Sequence, residues 1–320
     1  MSLKRVIKSD QDFKRLFNKI PDVTNLFKCE DNKSFFESRK IVAPPIIGSN
    51  PQDVGTAYDF WLRAHIQRIN NISVENNISD VINYGVRLME SSNVYTDNHI
   101  EVIKKGAAKA WGIRYEYILG KDIEDERFAR ALLFLAYIED FFRSGSREMR
   151  RKKQDRTIES FININKDSVQ DLVNLMNLKD ELNDHFKAQD VNNLFLNPTF
   201  GETSHYINGA DGDLIIDDFL IDFKTDKRIS LGVNNQYLYQ IIGYYILSTE
   251  NRLVGDRVIG YEEEEPYDVN RIGFYFARYE CLSYIEIEDL KKAMEDSGYP
   301  LKQLLNDFKD LAEDKYSGVI

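Results

Sequence analysis

Apolar side chains recur every three to four positions over six stretches ahead of Asn197: Asp10–Ile20, Val54–Ile69, Ser79–Met89, His99–Leu119, Glu124–Phe142 and Val169–Gln189. That spacing lays an apolar stripe along one side of an α-helix and predicts a helix over each. Pro44-Pro45 and Asn50-Pro51 mark a loop before the second of them. Asn197-Pro198-Thr199-Phe200-Gly201 punctuates a change to strand texture. Leu214-Ile215-Ile216 and Phe219-Leu220-Ile221 flank the turn-forming pair Asp217-Asp218, which predicts a β-hairpin. A helix that is apolar almost all round follows through Val233, Tyr237, Leu238, Ile241, Ile242, Tyr245 and Ile246, and then a connection through Gly255 and Gly260. Glu262–Glu265 and Pro266 read as an inert acidic turn. Arg271–Ile287, aromatic and β-branched, reads as one long strand or a bent pair, with two last helices near Ile287–Ser297 and Leu301–Glu313.

This order of elements predicts an α/β fold, a small mixed sheet flanked by helices. Residues 1–195 form its mainly helical part, including a first core helix near 54–69. Residues 196–320 carry the sheet and the C-terminal helices, and the whole is expected to be one structural unit.

The hairpin carries the chemistry. With a two-residue turn, Ile216 faces Phe219, Ile215 faces Leu220 and Leu214 faces Ile221. The next pair outward sets Asp213 opposite Asp222, and Asp211 faces Lys224. Directly opposed residues have Cβ atoms roughly 4.5–5.5 Å apart, so two carboxylates there repel unless something cationic sits between them. Lys224, two residues past Asp222, points to the same face. A three-residue turn would shift the pairing by one and undo the arrangement. Asp213 and Asp222 are hard oxygen donors suited to Mg²⁺ or Mn²⁺, and the backbone carbonyl of Phe223 is a candidate third oxygen. An ion held there acidifies a bound water and offsets charge on a phosphate oxygen. Lys224 is placed to orient or deprotonate that water, or to stabilise the transition state.

Two Asp on neighbouring strands with Lys two residues after the second, in the wording GADGDLI and LIDFKT, resemble the PD-(D/E)XK nuclease superfamily in its RecB-type branch. The resemblance covers about residues 197–250 and is weaker at 55–65. It implies a restriction-endonuclease-like core with the helical region as an elaboration. It assigns metal binding to Asp213, the Asp-x-Lys pair to Asp222 and Lys224, and the Gln and Tyr of the following helix to Gln240 and Tyr244. An earlier helical Gly-x-x-x-His motif has its nearest counterpart at Gly55, with Asp59 where the family has His. Asp59 is then either a further metal ligand or a helix-start acid favoured by the helix dipole. Asp211 is either a partner of Lys224 or a turn residue, and Gln240 either serves the site or makes a structural hydrogen bond.

Composition narrows the setting. The chain has 320 residues, 19 Phe, 18 Tyr and a net charge of −11. A core of ordinary size is expected, and an acidic whole-chain balance leaves room for a local basic face. Arg143, Arg147, Arg150, Arg151, Lys152 and Lys153 follow the helix at Glu124–Phe142, as a low-ranking phosphate-binding patch or as a solvated linker. Cys29 and Cys281, far apart in sequence, speak for a reducing compartment and against a disulfide scaffold. With no apolar signal core at the N-terminus, a cytoplasmic location is expected. His65, His99, His185 and His205 lack zinc-type spacing and read as ordinary structural residues. The expected activity is hydrolysis of phosphodiester bonds with Mg²⁺ or Mn²⁺, on DNA more than RNA, in end or single-strand processing for repair or defence. The alternative is a catalytically inactive module of the same fold that binds nucleic acid or protein.

Overall fold

The structure is a computed structural model. It describes residues 3–29, 39–72, 76–92, 94–152, 157–200, 204, 207, 209–227, 236–250, 254–257 and 267–316. His205, Lys153 and the 262–266 turn lie outside the described residues. The chain divides into two compact units, one of residues 1–41, 188–224 and 228–320, the other of residues 42–187 and 225–227.

The first unit is α/β. Its seven-stranded sheet has the order β1 (Lys28–Cys29), β7 (Cys281–Glu286), β6 (Arg271–Phe276), β4 (Phe219–Lys224), β3 (Leu214–Ile216), β2 (Leu194–Thr199), β5 (Val254–Arg257). The sheet is mixed: β4 and β6 run parallel, and the other neighbours are antiparallel. The region 271–287 is the bent pair. It breaks at a 3₁₀ turn, Ala277–Tyr279, and at Glu280, whose left-handed φ of 46° reverses the chain. Gly273 is required where these two strands meet, because a Cβ there would lie 2.3 Å from the Ser283 carbonyl oxygen.

One face of the sheet, built by Phe195, Ile215, Leu220, Ile272, Phe274, Phe276 and Ile285, shares a single apolar core with five helices. These are α1 (Leu3–Ser9), α2 (Gln11–Phe17), α10 (Gln236–Glu250), α11 (Ile287–Asp296) and α12 (Leu301–Tyr316). The N-terminal helices therefore pack on the sheet, although their texture groups them with the helical 1–195 region. Phe13 and Phe17 both meet Phe308 edge-on, and Leu3 lies against Gly243 of α10. Each fully buried side chain of this kind stabilises the unit by roughly 1.5–3 kcal/mol.

The second unit is helical: α3 (Pro51–Ile69), α4 (Asp80–Ser91), α5 (Asp97–Ile118), α6 (Asp125–Lys152), α7 (Ile158–Ile162), α8 (Lys166–Met176) and α9 (Lys179–His185). Their starts are written in the sequence. Asn50, Ser79, Thr96 and Asn165 each accept a backbone N–H of the first turn, and Pro51 occupies the first helical position. The stretch predicted as one helix over 169–189 is two, α8 and α9, with the break at Asn177–Leu178. The basic run predicted to follow a helix ending at Phe142 is itself helical up to Lys152, where α6 ends. Arg, Glu, Met and Lys are strong helix formers, and Gly145 alone does not stop them.

Three strands differ from expectation, one of them β1 at Lys28–Cys29, where no strand is predicted. Leu194–Thr199 passes through Asn197-Pro198 and is a strand, with its irregularity absorbed by a register shift against β5 and a left-handed φ of 53° at Asn197. Val254–Arg257, expected as a connection through Gly255, is the edge strand β5. Gly is tolerated there because an edge strand pairs on one side only.

Candidate active site

The β3–β4 hairpin has the predicted register. Leu214 pairs with Ile221, Ile215 with Leu220 and Ile216 with Phe219, which leaves Asp217-Asp218 as a two-residue turn. The turn is pinned from several sides. Asp217 takes a left-handed φ of 51°, accepts the backbone N–H groups of Gln189 and Asp190 on its carboxylate, and receives the Tyr267 hydroxyl on its carbonyl. Asp218 holds the Arg271 guanidinium and accepts the Arg271 backbone N–H at 3.1 Å. A one-residue slip would break all of these contacts, so the face that each β4 side chain occupies is well defined.

Alternation along β4 sends Leu220, Asp222 and Lys224 to one face. Leu220 belongs to the core that contains α10, so the acid and the amine rise under that helix. Both are buried: Asp222 is 3% exposed and Lys224 8%. Lys224 Nζ forms an ion pair with Asp222 Oδ2 and lies 4.6 Å from the centre of the Tyr237 ring. Asp222 Oδ2 has no hydrogen bond of its own beyond this contact.

Tyr237, Gln240 and Tyr244 recur along α10 at three- and four-residue spacing and so share one helix side. Gln240 Nε2 donates to the Tyr244 hydroxyl at 2.7 Å, whereas Gln240 Oε1 is buried with no partner. Burial drives the Tyr244 hydroxyl well above the usual tyrosine pKa, and the negative charges of Asp222 and Asp213 push it further the same way. Tyr244 is therefore a neutral hydroxyl beside two carboxylates. Phe200 stacks on its ring at 5.6 Å.

Asp213 accepts the Phe223 backbone N–H on Oδ2 at 2.6 Å, across the hairpin from Asp222. Beyond β3 the chain peels towards β2: Asn197 N–H donates to the Asp213 carbonyl, Gly212 N–H donates to the Pro198 carbonyl, and Asp211 forms a bridge with Thr199. Asp211 is exposed in that bridge, and the acid on Lys224 is Asp222 instead.

Among the described residues no group of three or more His, Cys, Asp or Glu is arranged to hold a metal ion. The donors at the hairpin still match a hard divalent cation in kind. Mg²⁺ keeps several waters and commonly takes only one or two carboxylates from a protein, and an Asp222 oxygen without a hydrogen bond is such a donor. Formal charge agrees, since two carboxylates and one ammonium leave an excess of one negative charge.

Other predicted residues belong to the second unit. Asp59 belongs to the helical unit, where one oxygen pairs with Arg63 one turn on and Oδ1 is buried with no hydrogen bond. Gly55 lets α3 approach Thr225, whose Oγ1 would lie 3.0 Å from an added Cβ. Arg143 pairs with Glu139 on α6, and Arg147, Arg150, Arg151 and Lys152 continue that helix. His65 is buried, with Nδ1 2.8 Å from the Tyr117 hydroxyl and its ring stacked on Trp61.

Two residues of the site escaped sequence reasoning. Tyr237 reads as one more apolar position of α10, although its three-residue offset from Gln240 places it on the same side. Phe200 reads as part of a turn. No family model, curated protein or solved structure matches the chain. Among the described residues no helix is long and apolar enough to cross a membrane.

Proposed function

We propose that this protein is a divalent-metal-dependent nuclease that hydrolyses phosphodiester bonds, in DNA in preference to RNA, in the manner of the RecB-type PD-(D/E)XK enzymes. The observation that carries the reading is the buried convergence of Asp222 and Lys224 beneath Gln240 and Tyr244, on a hairpin whose register also brings Asp213 to the backbone of residue 223. Asp213 and Asp222 would hold Mg²⁺ or Mn²⁺. When bound, the ion supplies an acidified water and charge neutralisation at the phosphate.

The remaining roles belong to the chain. The Lys224 ammonium, on the same face as Asp222, would orient a water or meet the negative charge that grows on the phosphate oxygens. The Tyr237 ring face keeps that ammonium in place without neutralising it. Gln240 offers an unpartnered amide oxygen that can accept from a water, while the Tyr244 hydroxyl, held neutral, remains a hydrogen-bond donor.

The test is incubation of the folded protein with linear, circular and single-stranded DNA and Mn²⁺, beside Lys224→Ala. Cleavage by the wild type that falls at least ~10²-fold in the variant is expected for loss of a group acting on the proton or the charge. Equal survival of all three substrates with both folded proteins refutes catalysis. One observation favours a second reading. Asp222 and Lys224 are already each other's counter-ion, as suits a binding module without turnover, and DNA retained but uncut in the same assay would select it.

A further inference from the structure

The chain has two cysteines, and they meet. Cys29 ends β1, the two-residue strand at one edge of the sheet, and Cys281 opens β7 beside it. The register pairs Cys29 with Ser283, so Cys281 is its diagonal neighbour, two residues along on the same face. The two Sγ atoms are 2.8 Å apart and both residues are 2% exposed. Both side chains line the core shared by the sheet and its helices.

We propose that Cys29 and Cys281 are a reversible dithiol–disulfide pair that locks the N-terminal arm onto the sheet. Contact across 252 positions of chain is not needed to build an edge strand this short, whose backbone pairs, among the described residues, at Lys28 with Tyr284 and Cys29 with Ser283. Two register pairs at a sheet edge also open more readily than the strands inside it, and such an opening is the route by which a small oxidant reaches the thiols. The oxidant class is a low-molecular-weight disulfide such as oxidised glutathione. A thiolate of the pair attacks one glutathione sulfur and forms a mixed disulfide, with one reduced glutathione leaving. The second thiolate then attacks the protein sulfur of that mixed disulfide and expels the other glutathione. Both thiol protons end on the two departing glutathiones, two electrons pass from the protein thiols to the small disulfide, and no other reactant is required.

What the lock would hold is specific. The arm before Cys29 carries α1 and α2, and Leu3 at its start packs on Gly243, the residue before Tyr244 on α10. A covalent tie at Cys29 therefore restrains the element that backs the Gln240 and Tyr244 helix. The chemistry does not depend on the nuclease reading, because it uses neither carboxylate nor Lys224.

The experiment equilibrates the folded full-length chain in glutathione buffers of rising oxidised-to-reduced ratio, at a urea concentration below its unfolding transition. Acid quenching, alkylation of remaining thiols in denaturant, and intact-mass and peptide analysis follow. The expected result is loss of both thiols together, a chain lighter by two hydrogens, one peptide joining Cys29 to Cys281, and no glutathione adduct accumulating on the wild type. Cys29→Ser and Cys281→Ser should each carry a single glutathione over the same range. The melting temperature of the wild type should rise on oxidation, while that of Cys29→Ser stays level. The proposal is overturned if the wild type accumulates glutathione independently at each cysteine, or if both thiols survive ratios that modify the single-cysteine chains.

Discussion

Replacing Lys224 by Met tests whether the hairpin site is a buried charge cluster. The substitution keeps a flexible stem of similar bulk in a place where the side chain is 9% exposed, and it removes only the ammonium. Asp222, with a side chain 4% exposed and an oxygen already lacking a hydrogen bond, then loses its counter-ion. Breaking a buried ion pair by deleting one partner typically costs about 3–5 kcal/mol, because the remaining charge is stranded. For a unit of roughly 150–250 residues that lowers the melting temperature by about 10 °C or somewhat more. The double variant Asp222→Asn/Lys224→Met strands no charge and should regain most of the loss, so the two changes should couple by more than ~1 kcal/mol.

Mn²⁺ makes the same experiment diagnostic of the proposed ion. Where Asp213 and Asp222 bind it, the ion replaces the missing positive charge, and an excess of ~100 times the dissociation constant restores roughly 2.7 kcal/mol. The rise in melting temperature should be larger for Lys224→Met than for the wild type, whose ammonium competes for the same carboxylate, and absent from the double variant. Thermal unfolding followed by circular dichroism, with and without Mn²⁺, reads all six states. A loss below ~1 kcal/mol in the single variant, the scale of an exposed pair, would show that the amine is solvated and that the burial argument is wrong.

Two further predictions test the units separately. Burial holds the His65 imidazole at a pKa of about 4 against an ordinary 6.5; its neutral state therefore contributes stability in full above pH 6.5, and that contribution is lost as pH falls towards 4. The window corresponds to about 3 kcal/mol, and urea unfolding at pH 7.5 and 4.5 should show the loss in the wild type but a flatter dependence in His65→Gln, parallel curves counting against it. Gly273→Ala should destabilise the sheet unit by at least ~1–3 kcal/mol, because the new Cβ meets a backbone carbonyl at 2.3 Å. Gly243→Ala should cost much less, since its Cβ meets the movable end of Leu3 at 2.9 Å; equal losses in chemical denaturation would refute the distinction.

The contrast between those two glycines also explains what the sequence reveals and what it hides. The hairpin is legible because a two-residue Asp-Asp turn between two apolar triplets admits one register, and the period of two then assigns Asp222 and Lys224 to one face. The α10 side chains are legible in the same way from helical spacing. Each is a short-range inference, complete within about 15 residues. The edge strands are poorly legible. β5 offers Val-Gly-Asp-Arg and β1 only Lys-Cys, segments whose extended form comes from the neighbour they pair with. The placing of α1 and α2 is hidden for a related reason. An amphipathic stripe says that a helix must cover something, and here the fit of Leu3 to a missing Cβ at position 243 and the edge-on contacts of Phe13 and Phe17 with Phe308 say what.

The same limit applies inside the site, where it matters most. Parity along β4 places the Lys224 amine on the face of Asp222, but parity cannot decide whether that amine serves a water, a distant acid or the carboxylate beside it. Sequence reasoning leaves Asp211 as either a partner of Lys224 or a turn residue, because extrapolating the hairpin ladder places the two opposite. The ladder is not what decides. Gly212 and the irregular stretch at Asn197-Pro198 turn residues 211–213 towards β2, and the Tyr237 ring stands over the amine from the other side. With Asp211 in its bridge to Thr199 and an aromatic face above the amine, the ion pair of Lys224 among the described residues is with Asp222. A cation held by Asp222 would have to be worth more to that carboxylate than the Lys224 ammonium is, and the Mn²⁺ response of Lys224→Met set against that of the wild type measures the difference.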